Sequence, residues 1–188
     1  MSKTKKMTRQ QMRVVLAKDV IKLVNANKLS VMSGNGYIVE KDRFDFKDLC
    51  DMEILNRAAV ELLQQKCEVC AQGALLLCRI DRFNKLGPQD ISLSYEYWDQ
   101  RYCISCGNKD TIRGLDGIFT KKQLDLIETA FENTPSIVEE DYDEDDVIPP
   151  EVAFGANFED DADRLVAIMQ NIIDHNGTFK PQVQYEMV

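Results

Sequence analysis

The stretch from Cys67 to Asn84 is apolar nearly all the way round a helix, through Val69, Ala71, Ala74, Leu75, Leu76, Leu77, Ile80 and Phe83. With no wide polar face, it predicts a helix covered by neighbours on several sides. Gly73 inside it is about 1 kcal/mol worse than Ala in a helix interior, which predicts a close approach by another backbone. Glu68, Arg79 and Asp81 interrupt the run and leave it too short to cross a bilayer. Gly87-Pro88 stops it. Four other segments carry one apolar stripe each at helical spacing. The first runs from Thr8, a candidate N-cap, to about Asn27, with Met12, Val15, Leu16, Val20, Leu23 and Val24 on one face. The second, Asp51 to Gln65, aligns Ile54, Leu55, Ala58, Ala59, Leu62 and Leu63. In the third, Phe119 to Glu132, Thr120 and Gln123 match a capping box. There Phe119 and Leu124 stand at staple positions, and Leu124, Ile127, Ala130 and Phe131 form the buried face. The fourth, Phe158 to Pro181, has Leu165, Ile168, Met169, Ile172 and Ile173 on one face. Asp160, Asp161 and Asp163 lie near its positive end, and Asn176-Gly177 is its C-cap signal.

Strand signals are short. Ile91, Leu93, Tyr95 and Tyr97 alternate with polar residues. Ser33-Gly34-Asn35-Gly36 is a turn, and the runs Leu29 to Met32 and Tyr37 to Val39 on either side predict a small hairpin. That turn lacks the Lys-Ser/Thr and the following helix of a phosphate loop. Trp98 and Tyr102 are anchors for a core or an interface. The pattern predicts a mainly α fold, a compact helical domain around a buried central helix with one or two short strands or a small hairpin. Residues 1–7 are expected to be a disordered basic tail, and 8–188 a single mainly-α domain with an acidic loop at 134–151.

Charge narrows the function classes. The chain carries a net charge of −9, which argues against direct binding to a nucleic-acid backbone. Base is concentrated early, in Lys3, Lys5, Lys6, Arg9 and Arg13, without the apolar core of a secretion signal. No transmembrane segment is predicted. A cytoplasmic location follows, and the six cysteines are then expected to be reduced.

Cys67-Glu-Val-Cys70 and Cys103-Ile-Ser-Cys106 are two C-x-x-C pairs, whose four thiolates would satisfy a tetrahedral zinc ion. The spacer between the pairs is long for a zinc ribbon, and Cys in an apolar helix is commonly a small core residue. The main expectation is therefore no metal, with zinc as the alternative. A redox C-x-x-C should follow a strand and open a helix, and no strand is predicted before Cys67. Cys50 and Cys78 read as core residues. His175, the one histidine, falls at a helix C-terminus, where a capping role outweighs general-base chemistry. No nucleophile or dinucleotide motif is present, and no catalytic residue is assigned.

Glu139 to Asp146, EEDYDEDD, is a loop by composition. Asp141, Asp143 and Asp145 match the opening of a calcium loop. Asp146 stands where that loop needs Gly, Glu151 falls one place short of the bidentate position, and two prolines intervene. A solvated loop is the commonest fate of such a run. The sharper reading is a surface that imitates nucleic-acid phosphates and enters a basic groove, with Asp141, Tyr142, Asp143, Glu144, Asp145 and Asp146 as the partner-binding residues.

Four stretches bear on family. They are Ala17-Lys18-Asp19-Val20-Ile21, Cys67-Glu-Val-Cys70-Ala-Gln-Gly-Ala74, Gln123-Leu-x-x-Ile127-Glu128-x-Ala130-Phe131-Glu132, and Arg164-Leu-x-x-Ile168-Met169-x-Asn171-Ile-Ile-x-x-Asn176-Gly177-Thr-Phe179. Over about half of the chain they resemble a family of short phage and bacterial proteins, and no activity comes with the resemblance. For a small acidic protein, a phage setting implies a host-directed inhibitor, by analogy of class. The leading expectation is a non-enzymatic intracellular protein-binding module: an acidic, nucleic-acid-mimicking inhibitor of a host defence or nucleic-acid-handling protein. One alternative binds a small charged ligand such as a nucleotide in a pocket between helices, near the Lys18/Lys22 or Lys121/Lys122 pairs. The other is a zinc-stabilised scaffold.

Overall fold

Thr8 starts the first helix where the pattern places it. Its hydroxyl accepts from the Gln11 N–H, and the Gln11 side chain accepts from the Thr8 N–H. This computed structural model describes residues 7–34, 38–40, 61, 64–65, 67–83, 93–96, 101–104, 113–115, 117–143 and 146–181, of which 39–40, 93–96, 101–104 and 113 are described by backbone alone. The elements follow as α1 (Arg9–Asn25), β1 (Ser30–Val31), β2 (Ile38–Glu40), β3 (Cys67–Val69), α2 (Ala71–Phe83), β4 (Leu93–Glu96) and β5 (Arg101–Ile104). A 3-10 turn (Arg113–Leu115) then leads to α3 (Lys121–Glu132), α4 (Pro135–Asp141), α5 (Pro150–Gly155) and α6 (Asp161–Asp174). The fold is mainly helical. No described helix is long and apolar enough to cross a membrane. The predicted basic tail and most of the predicted helix at 51–65 lie outside the described residues, although Glu61, Gln64 and Gln65 are helical.

The central helix is α2. Every residue from Ala71 to Cys78 is buried, and so is Ile80. Leu75, Leu76, Leu77 and Ile80 together remove enough apolar surface to contribute roughly 6–12 kcal/mol of transfer free energy. Burial on that scale makes this helix the centre of the core. It packs against α1, α3, β3 and the 3-10 turn. The helix is shorter than the pattern predicts, because Cys67–Val69 is a strand and Phe83 at the other end is exposed. The strand has its own period: Cys67 and Val69 are buried and Glu68 between them is not. Three residues of period two are lost beside thirteen of helix.

The sheet is larger than one or two strands, with five in the order β1-β3-β2-β5-β4. Its register explains the pairing. Val31, Val69, Ile38, Ile104 and Leu93 fall in one row across all five strands, while Ser30, Glu68, Val39, Cys103 and Ser94 fall in the next. A slip of one residue would break the apolar row. The predicted hairpin does not form. Its two strands are present, but β3 lies between them, parallel to β1 and antiparallel to β2. A strand with two buried positions out of three gains more from a neighbour on each side than the hairpin gains from closing.

Around α2, α1 lies along α6, and α3 packs on α5 and α6. Helices α1 and α6 end alike, with an asparagine in the left-handed region, Asn27 (φ 53°) or Asn176 (φ 53°). The next residue, Lys28 or Gly177, donates back to Leu23 or Ile172, the paired bonding of a Schellman ending. Thr120 caps α3 through the Gln123 N–H, as predicted. The Gln123 side chain does not return to the cap. It exchanges two hydrogen bonds with the Phe179 backbone, at 3.2 and 2.7 Å, and so ties the tail after α6 to α3.

The close crossing of α3 and α5 depends on Gly155. A Cβ there would stand 2.0 Å from the Ala130 carbonyl oxygen. Arg164 of α6 is fully buried beside it. It donates to the carbonyls of Gly155, Phe131, Phe158 and Glu159 and to the Asp161 carboxylate.

Candidate functional site

Two places in the structure concentrate polar chemistry. The first is inside, where β3 passes into α2 with only Cys70 between them. Cys70 is 1% exposed. Its sulfur accepts from the Gly73 N–H and shares a hydrogen bond with Glu128 of α3. Glu128 also accepts from the Gln72 backbone N–H and from the Gln72 side chain. One turn on, the Glu132 carboxylate accepts the Gly34 N–H. The neighbouring Ser33 N–H donates at 2.8 Å to Asp161. The loop after β1 thus lies over α3 and α6 and covers the junction. One donor atom each from Cys70, Glu128 and Glu132 lies within 4.8 Å of the other two.

This cluster is electrostatically unbalanced. Burial, and then the charge of Glu132, pushes the Glu128 carboxyl up to about 8. Burial raises Glu132 as well, against the stabilising Gly34 N–H. Burial and the Glu128 carboxyl push the Cys70 thiol well above its usual range. Two buried oxygens, Glu128 Oε2 and Gln72 Oε1, have no hydrogen-bond partner among the described residues. Gln72 is 2% exposed, and its side-chain amide also donates to Leu124 O at 3.2 Å. Composition gave no hint of the cluster. The one available signal was the spacing of Glu128 and Glu132, like charges four apart on a helix that repel unless something else holds them there.

The second place is the acidic segment, which is not the loop expected at 134–151. Thr134 caps α4 through the Ile137 N–H and Pro135 begins it, so Glu139, Glu140 and Asp141 form its last turn. α5 starts again at Pro150. The pattern hid both helices because each is under eight residues, and α4 has no buried residue to set a period. Beyond α4 the chain turns at Asp143, whose N–H donates to the Asp146 carboxylate. Glu139, Glu140, Asp141, Asp143 and Asp146 are exposed and Tyr142 is half-buried. Val147, at 89% exposure, follows directly. Glu144 and Asp145 lie outside the described residues. Among the described residues, no lysine or arginine forms an ion pair with Glu139, Glu140, Asp141, Asp143 or Asp146.

The remaining predicted groups are scattered. Cys67 is buried on β3 and Cys103 lies on β5, with β2 between the two strands. Cys106 is outside the described residues. Cys67 of the first C-x-x-C pair lies on a strand where the pattern predicts helix, and Cys70 follows that strand directly. Its extension spreads Cys67 and Cys70 by on the order of 10 Å, beyond disulfide reach. Cys78 is a core residue, as read. His175 is the C-cap of α6, its Nδ1 2.9 Å from Asn171 O. Lys18, Lys121 and Lys122 are exposed. Lys22 lines a cleft of about 950 Å³ between the C-terminal halves of α1 and α2, together with Lys28, Arg82, Asp19, Asp81 and Glu61.

Comparison with protein-family models, curated proteins and solved structures finds no match.

Proposed function

We propose that this protein is a non-enzymatic binding module whose acidic segment docks in a basic groove of another protein. One observation carries the reading. Glu139, Glu140 and Asp141 close α4 at the negative end of its dipole, exposed and with no ion pair to a cation among the described residues. Acids there destabilise a helix by roughly 0.3–1 kcal/mol each, so they weaken the fold they sit on. A positive surface on a partner would relieve that repulsion. Tyr142 and Val147 lie beside the acids and offer the apolar contact that charge alone lacks. Such a surface copies the repeating charge of a phosphate backbone. In a phage setting it would serve as an inhibitor that occupies the nucleic-acid groove of a host defence or nucleic-acid-handling protein.

The test is a pull-down from host extract at low and moderate salt, followed by kinetics on the captured partner. Replacing Asp141, Asp143, Glu144, Asp145 and Asp146 with Asn or Gln should slow association and flatten its dependence on ionic strength. Association that is equally fast across the salt series, in the parent and in the variant, would end this reading.

A second reading has its own observation, the cleft that brings Lys22, Lys28 and Arg82 together. It is large enough for a nucleotide-sized anion. Three carboxylates share its walls, which favours a ligand with both donors and acceptors. A small molecule retained through purification and released by Lys22→Ala would support it, and a clean mass spectrum would count against it.

A further inference from the structure

Independently of the docking reading, we propose that Cys70, Glu128 and Glu132 bind a divalent transition-metal ion of borderline softness, zinc above all, where β3 meets α2. Three donors from two elements converge within 4.8 Å. A tetrahedral zinc site has Zn–S near 2.3 Å and Zn–O near 2.1 Å, so its ligands stand about 3.5 Å apart. Small side-chain rotations of two glutamates close that difference. One sulfur and two carboxylate oxygens suit zinc better than calcium or magnesium, which take oxygen alone. Three protein ligands leave the fourth tetrahedral position to water.

The surroundings are those of a supported site. The Gly73 N–H holds the sulfur, Gln72 holds Glu128, and the Gly34 N–H holds Glu132. Such outer contacts orient ligands and set affinity. A thiolate and two carboxylates bring three negative charges. The ion cancels two and the positive end of α2 offsets part of the third, while the charges of Asp161 and Arg164 beside Glu132 oppose each other. A simpler explanation has Glu128 merely capping the buried end of α2. That role needs neither Glu132 nor the thiol, and it leaves Glu128 Oε2 and Gln72 Oε1 shut from solvent without a hydrogen-bond partner among the described residues. Glu132 and Gly34, at the edge of the cluster, are not fully buried. On binding, the Cys70 thiol and the protonated fraction of Glu128 give their protons to solvent, and the sulfur and the two carboxylate oxygens give lone pairs to the ion.

The experiment uses the full chain, purified under reducing conditions, stripped with chelator and titrated with Zn²⁺ or Co²⁺ alone. We expect one equivalent to bind and raise the melting temperature, and the Co²⁺ form to show a thiolate-to-metal charge-transfer band that Cys70→Ser removes. Glu132→Gln, at the more open side of the site, should weaken Zn²⁺ on the order of 100-fold while leaving the circular dichroism unchanged. The double variant Cys103→Ser/Cys106→Ser should bind like the parent. No stoichiometric uptake would overturn the proposal. So would binding that survives Glu132→Gln and Glu128→Gln but disappears in the Cys103/Cys106 double variant, which would assign the ion to four cysteines.

Discussion

Arg164 is the side chain whose removal should damage the fold most. Its guanidinium is fully buried and donates to four carbonyls and one carboxylate. Among the carbonyls, Phe131 O is the informative one. It lies in the last turn of α3, and the residue four positions on, Pro135, has no N–H to offer. Arg164 Nη1 supplies the missing donor at 3.0 Å. In Arg164→Met that oxygen is left buried and unpaired, a loss of about 1–3 kcal/mol. Three further carbonyls and Asp161 lose a donor as well, which brings the expected destabilisation to about 3–5 kcal/mol, the range for breaking a buried charged pair. Replacing a buried ion pair with apolar residues is often harmless because both charges leave together. Here most partners belong to the backbone and no substitution removes them. For a domain of this size the melting temperature should fall by about 6–20 °C. Urea denaturation of the parent, Arg164→Met, Arg164→Lys and Asp161→Asn checks the reasoning. Lysine should fall in between, because one ammonium reaches fewer carbonyls. Asp161→Asn should lose less than Arg164→Met, since the asparagine oxygen can still accept a hydrogen bond and the four carbonyls keep their donor. A loss under about 1 kcal/mol for Arg164→Met, or a loss in Asp161→Asn as large as that of the methionine variant, would refute the account.

Three other outcomes follow from the same structure. Gly155→Ala should force α5 off α3, because its Cβ would meet Ala130 O at 2.0 Å. A loss above about 2 kcal/mol in a thermal melt is expected for such a backbone clash. Thr120→Ala removes the hydroxyl that accepts the Gln123 N–H and should destabilise by about 1 kcal/mol in urea titration. Burial pushes the Cys70 and Cys78 thiols far above their usual range, so neither should react with iodoacetamide at neutral pH until the chain unfolds. Peptide mass spectrometry before and after denaturation reads this directly.

Helices with a complete local signal could be read from the sequence. Thr8 and Thr120 each mark a start, and Asn27 and Asn176 mark two ends, because caps and stripes are made by residues a few positions apart. The sheet was less legible. Its apolar row joins Val31, Val69 and Ile38 with Ile104 and Leu93, residues far apart in sequence, and neither a three-residue strand nor its register shows in a periodicity. The Cys67 to Val69 run looked helical because its apolar residues continued those of α2. The inner cluster was hidden for a related reason. Cys70 read as a core residue, Glu128 and Glu132 as the polar side of an amphipathic helix, and only the packing of α3 against the start of α2 brings them together. Arg164, noted only as part of a motif, gains its meaning from carbonyls donated by α3, α5 and the turn before α6.

The single residue between β3 and α2 leaves no slack in the backbone there. A rotation of α2 must drag the middle of the sheet, and a slip of the sheet must tilt the helix. Amide exchange at Val69 and at Leu75 should therefore be limited by one shared opening event, with similar protection in both segments. The end of α4, a helix with no buried residue, should exchange on its own, far faster.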